Sequence, residues 1–294
     1  MNERILTIQN AHLTVRIANK GAELLSVRSA DGCEYLWQGD DRYWSSRAPW
    51  MFPVCGRLFQ GKYAHKGKEY ALPNHGFARH SVFDVTAQSE NSLTLTLTAN
   101  EQTKTAYPFD FAFSVTYTLL ESTLNCALTV KNTGCEPLPF AVGAHPGFCA
   151  PINGNGTFED CYLEFSTVHT PSKILFTENL LTSGKRAPYT MRDGRYIDLT
   201  RDFFAADATF LADTCGEVML RSHKDDHTVT VRYPDFAYVG IWTKCDAGAD
   251  YVCIEPWCGL PGRDGGVEEL SRRDDLVKLP ANEAKTVSLE IVFG

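Results

Sequence analysis

Apolar and polar residues alternate with a period of two along most of the chain. Leu93-Thr94-Leu95-Thr96-Leu97-Thr98 alternates strictly, Phe111-Ala112-Phe113-Ser114-Val115-Thr116-Tyr117-Thr118-Leu119 does so nearly, and residues 124–130, 228–233 and 286–293 repeat the pattern. Successive side chains of a strand point to opposite faces, so this alternation, rich in Thr, Val, Tyr and Phe, predicts antiparallel strands buried on one side. Turn-forming clusters separate the runs: Asp31-Gly32, Asn132-Thr133-Gly134, Asn153-Gly154-Asn155-Gly156, Asp193-Gly194 and Gly265-Gly266. No helical period is sustained, and only short helical turns are expected, near residues 40–46 and 267–273. Residues 169–195 are the least regular and are expected to cross as a long loop. Many short strands between turns predict an all-β sandwich. The alternation runs from Ile5 to Phe293 without a linker or an internal repeat, so residues 1–294 read as a single domain, large for its class.

Composition narrows the function. With 44% hydrophobic and 22% charged residues the chain is globular rather than disordered, and 294 residues suffice for a sizeable core without metal or disulfide staples. It carries 28 basic and 36 acidic residues, a net charge of −8, with no Lys/Arg run longer than two, which argues against a nucleic-acid partner. The N-terminal residues lack an apolar signal core, and no stretch has the eighteen or so apolar residues of a membrane span. The ten cysteines include no CxxC pair, so they read as reduced thiols of a cytoplasmic protein. Cys245, Cys253 and Cys258 cluster in sequence, but the alternation around them suggests strand positions rather than a zinc knuckle, and no metal is expected.

Four segments break the pattern. Pro53-Val54-Cys55-Gly56-Arg57 places a guanidinium, a planar fork of donors suited to carboxylates or sugar oxygens, directly after an apolar run. Arg57 could equally reach solvent or pair with a core carboxylate. Pro73-Asn74-His75-Gly76-Phe77-Ala78-Arg79 holds an imidazole in a turn, and Gly143-Ala144-His145-Pro146-Gly147-Phe148 holds another at a strand end. Taken singly, each histidine could be a surface, core or capping residue. Tyr251-Val252-Cys253-Ile254-Glu255-Pro256-Trp257 embeds one carboxylate in an apolar strand. An unpaired buried carboxylate costs several kcal/mol, so Glu255 must be paired (Arg57 would serve), solvated in a cleft, or kept there for use. Two imidazoles, one Arg and one embedded Glu suit proton transfer on a polar neutral substrate. Nucleotide-binding glycine motifs, HExxH and GxSxG are all missing.

These segments, in this order, resemble the aldose 1-epimerase (galactose mutarotase-like) superfamily, most closely its LacX-like subgroup. The likeness extends over nearly the whole chain through Gly21-Ala22-Glu23-Leu24, Glu34-Tyr35-Leu36-Trp37, residues 49–57, His75-Gly76-Phe77-Ala78-Arg79, residues 143–148, Gly240-Ile241-Trp242-Thr243-Lys244 and residues 253–259. The resemblance implies a large antiparallel β-supersandwich with a sugar in an open cleft on one sheet. It implies Glu255 as general base, His145 as general acid, His75 as an aid at the ring oxygen, and Arg57 as a ligand of sugar hydroxyls. Asp207 falls where the family's sugar-binding Asp is expected, although Ala208 replaces the His that often follows. Trp242 is similar in position to an aromatic platform. Pro256-Trp257-Cys258-Gly259 matches the LacX-like group rather than the classical galactose mutarotases.

The implied activity is interconversion of α and β anomers by ring opening and closure, with no metal or organic cofactor. It calls for an ionised Glu255 and a protonated His145. Two alternatives remain at this level. One is a hexose-6-phosphate 1-epimerase, with Arg47, Arg57 and Arg79 gathered as phosphate ligands. The other is a carbohydrate-binding or sensing protein that keeps the sandwich without turnover.

Overall fold

The alternating segments form the centre of a nine-stranded antiparallel sheet. From edge to edge its strands are Tyr196–Asp198, Cys161–Phe165, Glu217–Ser222, Val229–Arg232, Ala284–Phe293, Thr123–Asn132, Phe111–Leu120, Ser92–Thr98 and Asp84–Gln88. The structure, a computed structural model, describes residues 3–244 and 248–294. Along Phe111–Leu120, Phe111, Phe113, Val115, Tyr117 and Leu119 are buried while the residues between them are partly exposed. The outer face carries facing hydroxyls, with Thr94 3.0 Å from Thr116 and Thr96 2.8 Å from Ser114. Each such cross-strand pair contributes roughly 0.2–1 kcal/mol. The period-two pattern is thus the imprint of a sheet with one dry and one wet face.

A second sheet, of eight strands, carries the site. Its order is Thr182–Pro188, Ser172–Phe176, Thr209–Ala212, Tyr238–Trp242, Tyr251–Trp257, Gly143–Ala144 and Trp50–Met51, and Gly147–Cys149 also pairs with Tyr251–Trp257. The two sheets meet through aromatic rings: Phe52 stacks on Phe113 at 4.7 Å, and the Trp50 indole N–H donates to the Tyr117 hydroxyl at 2.5 Å. A three-stranded sheet (Ile5–Gln9, Leu13–Ala18, Leu24–Ser29) and two hairpin-sized sheets complete the all-β sandwich. The main core draws residues from Ile8 to Phe293.

Tyr251–Trp257 lies inside the second sheet and is buried at every position. Its alternation still matters. Val252 and Ile254 join the main core, whereas Tyr251 and Cys253 belong to a smaller cluster with Trp37, Tyr43, Trp44 and Trp242. Glu255 has the parity of Tyr251 and Cys253, so the pleat turns it away from the core between the sheets.

Two local expectations need correction, and one element was not expected. Residues 169–195 are not a long loop: Ser172–Phe176 and Thr182–Pro188 form an antiparallel hairpin with a register shift between Leu175 and Phe176. Thr182–Pro188 is an edge strand exposed over most of its length, so no buried face imposes alternation on its sequence. Residues 40–46 form a turn closed by an Asp40–Trp44 bridge rather than a helical turn. The second expected turn is a 3-10 helix at Leu270–Arg272. A short α-helix, Glu101–Ala106, was not anticipated; Asn100 and Thr103 cap it reciprocally, and six residues are too few to show a period.

The nine cysteines among the described residues are all free thiols, and Cys245 lies outside the described residues. Among those residues no helix is long and apolar enough to cross a membrane.

Phe113 is fully buried against Phe52 and Phe83. Phe113→Ala should lower the unfolding free energy by about 3–5 kcal/mol in urea denaturation. A loss under about 1 kcal/mol would show that the sheets are not held together through this ring.

Candidate active site

A cavity of about 790 Å³ opens on the second sheet, and its walls include all seven residues singled out from the sequence: Arg57, His75, Arg79, His145, Asp207, Trp242 and Glu255. They come from separate places in the fold, with Trp242 on the strand Tyr238–Trp242 and Arg79 in the 3-10 helix Ala78–His80. Glu255 stands on the central strand, and His145 follows the short strand Gly143–Ala144 beside it. Arg57 and His75 sit on two crossing loops joined by backbone hydrogen bonds, with His75 N–H donating to the Gly56 carbonyl at 3.0 Å. Asp207 occupies the turn between the 3-10 helix Arg201–Phe204 and the strand Thr209–Ala212.

The loop geometry explains the sequence around His75. His75 and Gly76 both adopt positive φ, 66° and 71°. A Cβ on Gly76 would fall 2.2 Å from the Phe52 carbonyl oxygen, so only glycine fits at this crossing. The Gly56 N–H in turn donates to His75 Nδ1 at 3.1 Å. With Nδ1 accepting, a neutral His75 carries its proton on Nε2 and offers it as a donor. Burial, then the neighbouring His145 imidazole and the Arg79 and Arg57 guanidinium charges, hold the His75 pKa well below the usual imidazole range.

Glu255 is 2% exposed, and its Oε2 lies 3.3 Å from His145 Nε2. Among the described residues no ion pair joins it to Arg57, so the partner that sequence alone allowed is not the one found. Burial raises the Glu255 pKa well above the carboxylate range, and the charge of Asp207 adds to this; the nearby Trp257 indole opposes it. That indole N–H and Glu255 Oε1 are nonetheless both buried without a partner in hydrogen-bonding geometry. His145 is pushed the other way, down to about 3, by burial and then by the Arg79 charge. The expected ionised Glu255 beside a protonated His145 therefore meets surroundings that favour both neutral forms. The two shifts run in opposite directions, so a proton shared across the Glu255–His145 contact is favoured on the carboxyl side.

The remaining residues divide into anchored and free groups. Arg79 is half-buried, donates from Nη2 to Ser46 Oγ at 3.0 Å, and has its pKa lowered by burial. Arg57 is exposed, and no ion pair or side-chain hydrogen bond holds its guanidinium among the described residues. Asp207, at φ 69°, accepts the Ala208 N–H at 2.9 Å. Arg47 does not line the cavity, so the three arginines do not gather there.

Aromatic rings position the imidazole. Trp44 stacks on His145 at 4.9 Å, and Trp242 meets the same ring edge-on at 5.6 Å. Sequence reasoning missed Trp44, whose only signal was an aromatic pair, Tyr43-Trp44, in a polar turn. It also missed the wall formed by the hairpin, where Lys173, Phe176 and Glu178 face the cavity, and the Phe210 and Trp257 rings, 4.2 Å apart.

Comparison with known proteins agrees with this architecture. Residues 4–263 match the family model described as aldose 1-epimerase. The chain is 32% identical to the plasmid-encoded protein LacX of Lactococcus lactis subsp. lactis over 264 residues, 87% of this chain and 88% of that protein. It is 33% identical to a galactose mutarotase related enzyme from Lactobacillus acidophilus, with a TM-score of 0.94 over 99% of this chain and 97% of that one. A galactose mutarotase-like protein from Lactobacillus casei is 30% identical, with a TM-score of 0.92 over 99% of this chain and 100% of that one. The pleated strand that holds a carboxyl group against a stacked imidazole is therefore part of a chain that belongs to the aldose 1-epimerase family of isomerases.

Proposed function

We propose that the protein interconverts the α and β anomers of a neutral aldose by general acid–base catalysis, as a cytoplasmic enzyme that needs no cofactor. The observation that carries this reading is the 3.3 Å contact between Glu255 and His145 in a cavity with room for a monosaccharide. Ring opening requires one proton to leave the C1 hydroxyl and one to reach the ring oxygen. The pair holds one proton, which must move to His145 before the reaction starts. A sugar that replaces the direct contact supplies the incentive: its C1 hydroxyl donates to Glu255 and its ring oxygen accepts from His145, which favours the charged arrangement.

Glu255 then takes the C1 proton while His145 delivers its own to the ring oxygen. The C1–O5 bond breaks, and an aldehyde forms. Rotation about C1–C2 presents the other face, and the two transfers run backwards. Protons balance over the cycle. His75, with Nε2 as donor, assists at the ring oxygen; Arg57 and Asp207 bind hydroxyls; Trp242 offers an apolar face to the sugar ring. Each well-placed acid or base supplies about 10²–10⁴-fold.

Charge favours a neutral sugar. Arg57, Arg79 and Lys173 line the cavity together with Glu178 and Asp207, and Arg79 is already tied to Ser46. A phosphate dianion recruits several charge-assisted donors, and no unopposed cluster of that kind stands here.

Two measurements test the reading. Glu255→Gln should lower the polarimetric kcat for glucose or galactose anomer exchange by about 10²-fold or more, with calorimetric sugar affinity little changed. Affinity and stability falling together without a selective loss of kcat would assign Glu255 a structural role. No exchange by the wild-type protein would favour a carbohydrate-binding role instead. For substrate charge, kcat/KM should be higher for glucose than for glucose 6-phosphate and should depend weakly on salt. A large, salt-sensitive preference for the phosphate would establish the hexose-6-phosphate alternative.

A further inference from the structure

Cys253 has no part in the sugar chemistry above, yet it lies against both groups that perform it. Residues two apart on a strand share a face, so Cys253 and Glu255 project to the same side of Tyr251–Trp257. Opposite Cys253 the sheet places Gly147, two residues beyond His145. A Cβ at Gly147 would fall 3.4 Å from Cys253 Sγ and 2.9 Å from the Trp44 ring, so the glycine lets His145, Trp44 and the thiol close up over the strand. As a result, one ligand atom each from His145, Cys253 and Glu255 lies within 4.8 Å of the others.

We propose that His145, Cys253 and Glu255 form a binding site for a thiophilic divalent cation such as Zn²⁺, and that the bound cation inhibits by occupying the acid–base pair. A tetrahedral zinc ion, with bonds of about 2.0–2.3 Å, sets its ligand atoms roughly 3.3–3.6 Å apart. His145 Nε2 and Glu255 Oε2 are already 3.3 Å apart. The thiol needs a shift of at most about 1.5 Å to join them, within reach of a rotation about its Cα–Cβ bond.

The donor set supports the cation class. Sulfur, imidazole nitrogen and carboxylate oxygen together suit zinc or cobalt and disfavour magnesium and calcium, which take oxygen ligands. Glu255 Oε1 and His145 Nδ1 are both buried without a hydrogen-bond partner, so the cluster is not closed by the protein's own bonding. His145 and Glu255 also line the cavity, which gives an ion a route in and leaves its fourth position for water.

Protons balance on binding. His145 ligates through neutral Nε2, the thiol proton and the proton shared by the pair pass to solvent, and thiolate plus carboxylate neutralise the 2+ charge. With Nε2 and Oε2 both occupied, neither group can exchange a proton with the sugar. Binding stands apart from the proposed function, and only the inhibition rests on that reading.

The test uses the full chain with Co²⁺ and Zn²⁺ as probes. Wild-type protein should bind one Co²⁺ with a thiolate-to-cobalt absorption, lose that absorption when Zn²⁺ displaces the cobalt, and stop anomer exchange until EDTA restores it. Cys253→Ala, with Cys253→Ser as the size-conserving second variant, should weaken Zn²⁺ binding by about 100-fold or more. Both variants should retain metal-free turnover and escape inhibition. Cys135→Ala, at an exposed thiol that belongs to neither the cluster nor the cavity wall, should behave as wild type. Absence of a thiolate–cobalt band, or equal Zn²⁺ affinity in the Cys253 variants, would overturn the site. If the wild type turns over no aldose, the proposed function fails, while the cobalt spectrum still decides the site.

Discussion

A carboxyl group buried inside a β-sheet is the constraint around which the rest of this protein is arranged. Glu255 has strand neighbours on both sides and almost no contact with solvent, so its charge is disfavoured by burial before any substrate arrives. What makes the carboxyl tolerable is His145, which can share one proton with it. Burial favours the neutral form of each group, and an internal proton shift would leave a carboxylate beside an imidazolium. Sugar hydroxyls and the ring oxygen are the groups that would favour that shift.

The fold supplies what such a pair requires. The nine-stranded sheet gives the second sheet an apolar support, through contacts such as Phe52 on Phe113, so the central strand need not be amphipathic to be stable. The second sheet's outer face is then free to carry chemistry. Trp44 and Trp242 fix the His145 ring from two directions, and the Gly56 N–H fixes the tautomer of His75. The central strand holds the carboxyl group, the end of a short neighbouring strand holds the imidazole, and crossing loops hold Arg57 and His75 beside them. The close approach at Gly147 that packs Trp44 over the strand also brings Cys253 to the same pair.

Much of this was legible in the sequence, for physical reasons that also explain the gaps. Wherever a strand has one buried and one wet face, as in Phe111–Leu120 or Ala284–Phe293, the period of two appears and the strand can be read. Glu255 stood out because a carboxylate among Val252, Ile254 and Trp257 must be paired, solvated or kept for use, and only the structure shows His145 rather than Arg57 beside it. The hairpin at residues 172–188 was hidden because an exposed edge strand leaves no alternation. Trp44 was hidden because its role depends on a turn meeting His145 across the fold. The ionisation of the pair was hidden most completely: residue types suggest carboxylate and imidazolium, and only burial reveals the opposite preference.

That preference is the central claim, and the imidazole nitrogens of His145 report it directly. In ¹⁵N-labelled protein without sugar, assigned by comparison with His145→Asn, the His145 resonances should keep neutral-imidazole shifts from pH 8 down to pH 5, because burial places its pKa at about 3. A titration centred near the ordinary imidazole value of about 6.5, or an imidazolium already present at pH 8, would contradict the account.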